Sequence, residues 1–142
     1  MKTFVVLAVS IVMVSILLCP MAVAAPPMPN DVQMVEPDPS LPKELAGFLG
    51  KWEGSDPIQK FFLIIEKIDE ENASFYHWRS GTSEIPGGWR RFQAKVSKES
   101  GKYKLWYRLP PQYQRAVVEY TLKGKYLDVS SPTGGFRYTR VP

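Results

Sequence analysis

Leu49-Gly50-Lys51-Trp52-Glu53-Gly54-Ser55 is the stretch on which the fold turns. Before it lie prolines and one short helical pattern. After it, apolar residues recur at every second position almost to the end of the chain. A repeat of two is that of a strand with one face buried, against about 3.6 for a helix. Runs near 49–55, 60–68, 73–79, 89–97, 102–109, 113–122, 125–130 and 135–141 therefore read as strands. The breaks between them carry turn chemistry: Asp69-Glu70-Glu71-Asn72, Pro86-Gly87-Gly88, Ser100-Gly101, Pro110-Pro111, Lys123-Gly124 and Pro132-Thr133-Gly134-Gly135. Most are long enough for an antiparallel hairpin and too short for a crossover helix. Sequential hairpins either leave two exposed edges or close on themselves, and closure removes the edges. The expectation is an all-β fold: an eight-stranded antiparallel up-and-down barrel over residues 40–142, preceded by a short N-terminal helical turn.

The alternation also orients the strands. Tyr103, Leu105, Tyr107 and Leu109 share a face opposite Lys102, Lys104, Trp106 and Arg108; Ala116, Val118, Tyr120 and Leu122 form the apolar face of the next run. Phe92, Ala94 and Val96 oppose Arg91, Gln93 and Lys95. Phe61 to Ile68 is apolar on both faces, so its outer side needs a cover: the preceding arm, a loop or a partner.

Upstream, Ser40-Leu41-Pro42-Lys43-Glu44-Leu45 has the signs of a helix start, with a hydroxyl to cap and a proline in the first turn. Leu41, Leu45 and Phe48 fall on one face, and one or two turns there can plug an end of a barrel. Residues 25–39 carry prolines at 26, 27, 29, 37 and 39 and read as a disordered, proline-rich arm.

Residues 1–24 read as a cleaved signal peptide, with Lys2, an apolar run from Phe4 to Leu18 and Ala22-Val23-Ala24. That run is about 15 residues, short of the roughly 20 that span a bilayer, so no transmembrane segment is expected after cleavage. The protein is expected to be secreted or periplasmic. Cys19, the single cysteine, lies inside the leader. The mature chain then has no disulfide and no thiol nucleophile, and its stability rests on packing and backbone hydrogen bonds. With 18 basic and 14 acidic residues the net charge is +4. That modest excess decides nothing about partners.

Gly50 and Trp52 opening the first strand, a helical turn before them, eight meander strands and an arginine near the end of the last strand together resemble the lipocalin-like (calycin) barrels, a superfamily that includes lipocalins and avidin-like proteins. The resemblance covers residues 40–142. It implies that Trp52 packs across the closed end of the barrel with a late arginine over its face, Arg140 ahead of Arg137, a contact worth roughly 0.5–2 kcal/mol. The chain is shorter than a typical lipocalin, has no helix after the last strand and lacks a clear counterpart of the family's middle signature loop.

A barrel of this size is filled by its own side chains or holds one small molecule. All four Trp, all seven Tyr and every Phe except Phe4 lie in the domain. A Tyr- and Trp-rich lining suits an apolar or ring-bearing guest. The candidate lining residues are Glu66, Tyr76, Trp78, Tyr103, Tyr107 and Tyr120. Pairing Ile68 with Ala73 would put Glu66 on the face of Phe75 and His77, whereas a slip of one residue that pairs Glu66 with Tyr76 would put it beside Trp78. His77 is the only histidine and is expected at the barrel mouth. No Gly-x-Ser-x-Gly and no second histidine accompany it, so no catalytic residue, metal ligand or cofactor is assigned.

Outward-facing Arg91, Lys95, Lys102, Lys104, Trp106 and Arg108 could meet an anionic envelope or glycan surface. Export argues against nucleic acid despite the interleaved aromatic. Asn72-Ala73-Ser74 is a glycosylation sequon on a turn. The expectation is an exported, monomeric binding protein that holds a small apolar or aromatic ligand. The alternative is an envelope-associated interaction module with a filled core and a basic outer face; a hydrolase or isomerase built on Glu66 and His77 stands third.

Overall fold

The computed structural model describes residues 25–142; the signal-peptide reading lies outside them. Eight strands follow a four-residue helix, α1 (Lys43–Ala46): β1 (Gly50–Ser55), β2 (Lys60–Ile68), β3 (Asn72–Arg79), β4 (Gly88–Glu99), β5 (Lys102–Arg108), β6 (Val117–Lys123), β7 (Tyr126–Ser131) and β8 (Gly134–Val141). Each strand pairs with the next, and β1 pairs antiparallel with β8, so the meander closes into an eight-stranded barrel as the alternation predicted. Among the described residues no helix is long and apolar enough to cross a membrane.

Closure places Trp52 directly across the ladder from Arg140. The indole is fully buried, and its Nε1 donates to the Phe48 carbonyl at 3.0 Å. The Arg140 guanidinium lies over the ring, 4.2 Å from its centroid, and donates to the carbonyls of Leu49 (2.6 Å) and Gly47. One cation thus covers the indole and satisfies carbonyls left open where α1 ends. Gly50 makes the fit possible. Its φ of +121° is in the range that favours glycine, and a Cβ there would lie 2.6 Å from an Arg140 nitrogen. Leu45 and Phe48, both buried, complete the plug.

Some local expectations change. Ser40 does not cap α1, because its N–H and hydroxyl both donate to Asp38 Oδ1, at 2.8 and 2.7 Å; Pro42 occupies the cap position. The sixth strand begins at Val117 and not at 113. Pro111–Tyr113 winds into a 3-10 turn, and Gln114 and Arg115 take φ near +56° and +52°. Beyond Lys95↔Trp106, β5 leaves β4, so β4 residues 88–94 pair only with β3.

The β2–β3 register keeps one of the alternatives considered above at its turn end, while its other half slips by one residue in the opposite sense to a pairing of Glu66 with Tyr76. Ile68 pairs with Ala73, yet Ile65 pairs with Phe75 and Ile64 with Tyr76. The shift is taken up by a bulge at Glu66, the extra residue between Ile65 and Lys67. The bulge keeps Ile65 and Ile68 both in the core and sends Glu66 to the side of Tyr76.

Truncation of Trp52 to alanine should cost about 3–5 kcal/mol, the range for a large buried aromatic. Urea unfolding measures it, and a loss below about 1 kcal/mol would show that the indole is not what closes the base.

Candidate functional site

The interior is packed at the base and open at the other end. Above Trp52 lies a layer of Phe75, Tyr120 and Tyr138, all buried. Nearer the opening stand Phe61, His77, Phe92, Tyr107 and Phe136. The rings interlock: Phe61 and Phe136 stack at 4.7 Å between centroids, Phe92 and Tyr107 lie at 5.2 Å, and Phe75 and Tyr120 meet edge-on at 5.7 Å. They surround a mouth cavity of about 350 Å³, to which Phe61, His77, Tyr107, Tyr120, Phe136 and Tyr138 contribute. Gln59, Arg79, Ser131 and Thr133 are among the residues of its polar rim.

The hydroxyls and the imidazole of this cup are uncharged; Asp56 and Arg79 are the charged residues of its lining. Burial pushes the Tyr120 and Tyr138 hydroxyls well above the ordinary tyrosine range, so both remain protonated. The Tyr138 hydroxyl is buried with no hydrogen-bond partner. Burial, with Arg79 and Arg90 close by, lowers His77 from 6.5 to about 4, which leaves a neutral imidazole at neutral pH.

Of the six lining residues read from the sequence, Tyr107 and Tyr120 are in this cavity. Tyr103 packs against the core but at the base end of β5, where the Lys98 ammonium sits 4.8 Å from its ring centroid. Glu66, Tyr76 and Trp78 are on the outside of the wall, which corrects the interior position expected for them. Tyr76 and Trp78 alternate with Phe75 and His77, which face in, and the bulge carries Glu66 to the outer side. Phe61, Phe136, Tyr138 and Arg79 were not assigned to the site from the sequence. For Arg79 a signal was present: Ala73, Phe75, His77 and Arg79 fall on alternate positions of one strand.

The outer face of β2 to β4 is covered by residues 27–35, so the arm expected to be disordered is a strap. The Val35 N–H donates to the Glu66 carbonyl at 2.8 Å. The Glu66 carboxylate, only 2% exposed, accepts from the Gln33 N–H at 3.2 Å and pairs with Arg91. Tyr76 donates to Asp31 at 2.6 Å, and Trp89 Nε1 to the Pro27 carbonyl at 2.8 Å. These contacts bury Ile64 and Tyr76 and supply the cover that the doubly apolar β2 required. A cleft of about 300 Å³ remains where Met28 meets Phe62 and Trp89.

Two of the five cations on the basic outer face, Arg91 and Lys104, are ion-paired. Arg91 is held by Glu66, Lys104 by Glu99 and, at 3.8 Å, by Glu119. Lys95 donates to Asn72 of the sequon at 2.8 Å.

No family model matches this chain, and no curated protein does. Among solved structures, secretory abundant heat soluble protein 4 from Ramazzottius varieornatus aligns with a TM-score of 0.38 and 16% identity, over 68% of this chain and 96% of that one. A likeness at that level carries no argument.

Two outcomes test this geometry. Glu66→Ala leaves the Gln33 N–H and the half-exposed Arg91 without their acceptor and should cost about 1–3 kcal/mol in urea unfolding; Glu53→Ala, an exposed control, should be near neutral. Because the folded pKa of His77 lies below its unfolded value, the unfolded chain takes up that proton first as pH falls. Stability is then fully kept above about pH 6.5 and declines toward about pH 4. Unfolding midpoints across that window should show the decline in the wild type and a flatter slope in His77→Phe.

Proposed function

We propose that this protein is an exported, lipocalin-like binding protein that holds one small apolar or aromatic molecule in its barrel mouth and carries out no chemistry of its own. One observation supports this above the rest: the packed base gives way to a ring-lined cavity of about 350 Å³ containing uncharged hydroxyls. That volume lies at the lower end of small-molecule pockets. Rings along the wall offer stacking surface, and the tyrosine hydroxyls offer hydrogen bonds that fix orientation. Export to a secreted or periplasmic location rests on the leader-like residues 1–24. The reading as an envelope-interaction module has less to draw on, since Arg91 and Lys104 of the basic outer set are already paired with carboxylates of the domain.

A fluorescent naphthyl probe should bind with enhanced emission. Tyr107→Ala should weaken it about five- to tenfold, the scale of one lost ring contact, while Trp78→Ala on the outer wall should leave it unchanged. Loss in Trp78→Ala but not in Tyr107→Ala would move the site to the strap, and failure of the probe to bind would remove the proposal.

A further inference from the structure

Two arginines stand on the inward side of the wall at the open end. Arg79 closes β3 in the same alternation as Phe75 and His77 and contributes to the mouth cavity. Arg90 lies directly across the ladder from His77, in step with inward-facing Phe92 and Ala94. Among the described residues neither makes an ion pair, whereas Arg91 and Arg137 each have a carboxylate partner and Arg140 covers Trp52.

The acidic side is just as informative. Asp56 is the carboxylate that lines the cavity, and its Oδ1 already accepts the N–H groups of Ile58 and Gln59, both at 2.7 Å, in the β1–β2 turn. Glu66 is on the far side of the wall. The opening therefore has Arg79 and Asp56 in its lining and Arg90 beside it, across the ladder from His77, above a floor of rings and neutral hydroxyls.

We propose that the mouth selects an anionic ring-bearing molecule, an aromatic carboxylate or sulfonate, with its ring in the Phe61–Phe136–Tyr107 cup and its acid group against Arg79 and Arg90. This rests on the reading of the mouth as a binding site and adds the ligand's charge. A planar guanidinium fork matches a carboxylate or sulfonate, and charge-assisted bonds of this kind are stronger than neutral ones. A cationic head would meet two like charges offset by one carboxylate, Asp56, whose Oδ1 is held by the N–H groups of the β1–β2 turn. An acid lacking such partners would resist entering a ring-lined cavity at all.

Three probes of one shape separate the terms: 1-naphthylacetate, 1-naphthylmethylammonium and neutral 1-naphthol, each titrated calorimetrically into the wild type, Arg79→Lys and the Arg79→Gln/Arg90→Gln double variant. The wild type should take the acid about tenfold or more tighter than the ammonium. Arg79→Lys should keep that order, and the double variant should abolish it with naphthol affinity unchanged. Naphthol binding with equal affinity for acid and ammonium in the wild type overturns the charge proposal and leaves the mouth as a binding site. A preference for the acid that survives in the double variant also overturns it. Failure of all three to bind removes the mouth-binding reading and this inference together.

Discussion

The barrel depends on the enclosure of one indole. Trp52 sits where the first and last strands meet, its nitrogen held by the Phe48 carbonyl and its face covered by the Arg140 guanidinium. Closing a meander joins residues from opposite ends of the domain, with a loop-closure cost that local turns cannot offset. A large buried ring of β1 that meets Phe48, just after α1, and Arg140 of β8 at once gives that closure its apolar reward. Gly50 belongs to the same device, because any side chain there would collide with the cation that covers the ring.

A second constraint acts on β2, whose residues are apolar toward both the core and the outside. A regular ladder would turn either Ile65 or Ile68 away from the core; the bulge at Glu66 keeps both buried. It also sets a carboxylate on the outer wall, where Arg91 and a backbone N–H of the strap meet it. The proline-rich segment needs no regular structure of its own to dock there. It contributes an N–H, a carbonyl and an acid at points where the wall offers partners, and its prolines reduce the entropy lost on ordering.

With the base sealed and β2 covered, the interior is approached from the mouth and along the seam where β5 leaves β4. The rings and neutral hydroxyls of the mouth accommodate an apolar body, while the free arginines at the lip give it a sign. The same residues account for the low pKa of His77, since a cup that excludes water and carries positive charge disfavours an imidazolium. Ligand binding and charge preference are thus proposed from one environment. The closed meander sets the architecture, and the chemistry of the mouth belongs to its side chains.

Strand number, hairpin order, the helical plug and the inward faces of β4 to β6 were legible in the sequence, because a period of two and turn residues are local properties. So was the Trp52–Arg140 pairing, through the resemblance. The position of Glu66 was not. Both registers open to it were locally consistent, and the bulge seen instead becomes favourable only when the core demands Ile65 and Ile68 together. Tyr76 and Trp78 were assigned to the lining for the same reason: whether a ring stacks on a ligand or under a strap depends on which side of the wall it occupies. The sequence by itself determined a closing β meander with an aromatic interior. Tertiary structure alone decided which rings of β2 and β3 face inward, that the arm lies against the wall and that two arginines border the mouth, because each of these depends on contacts between segments far apart in the chain.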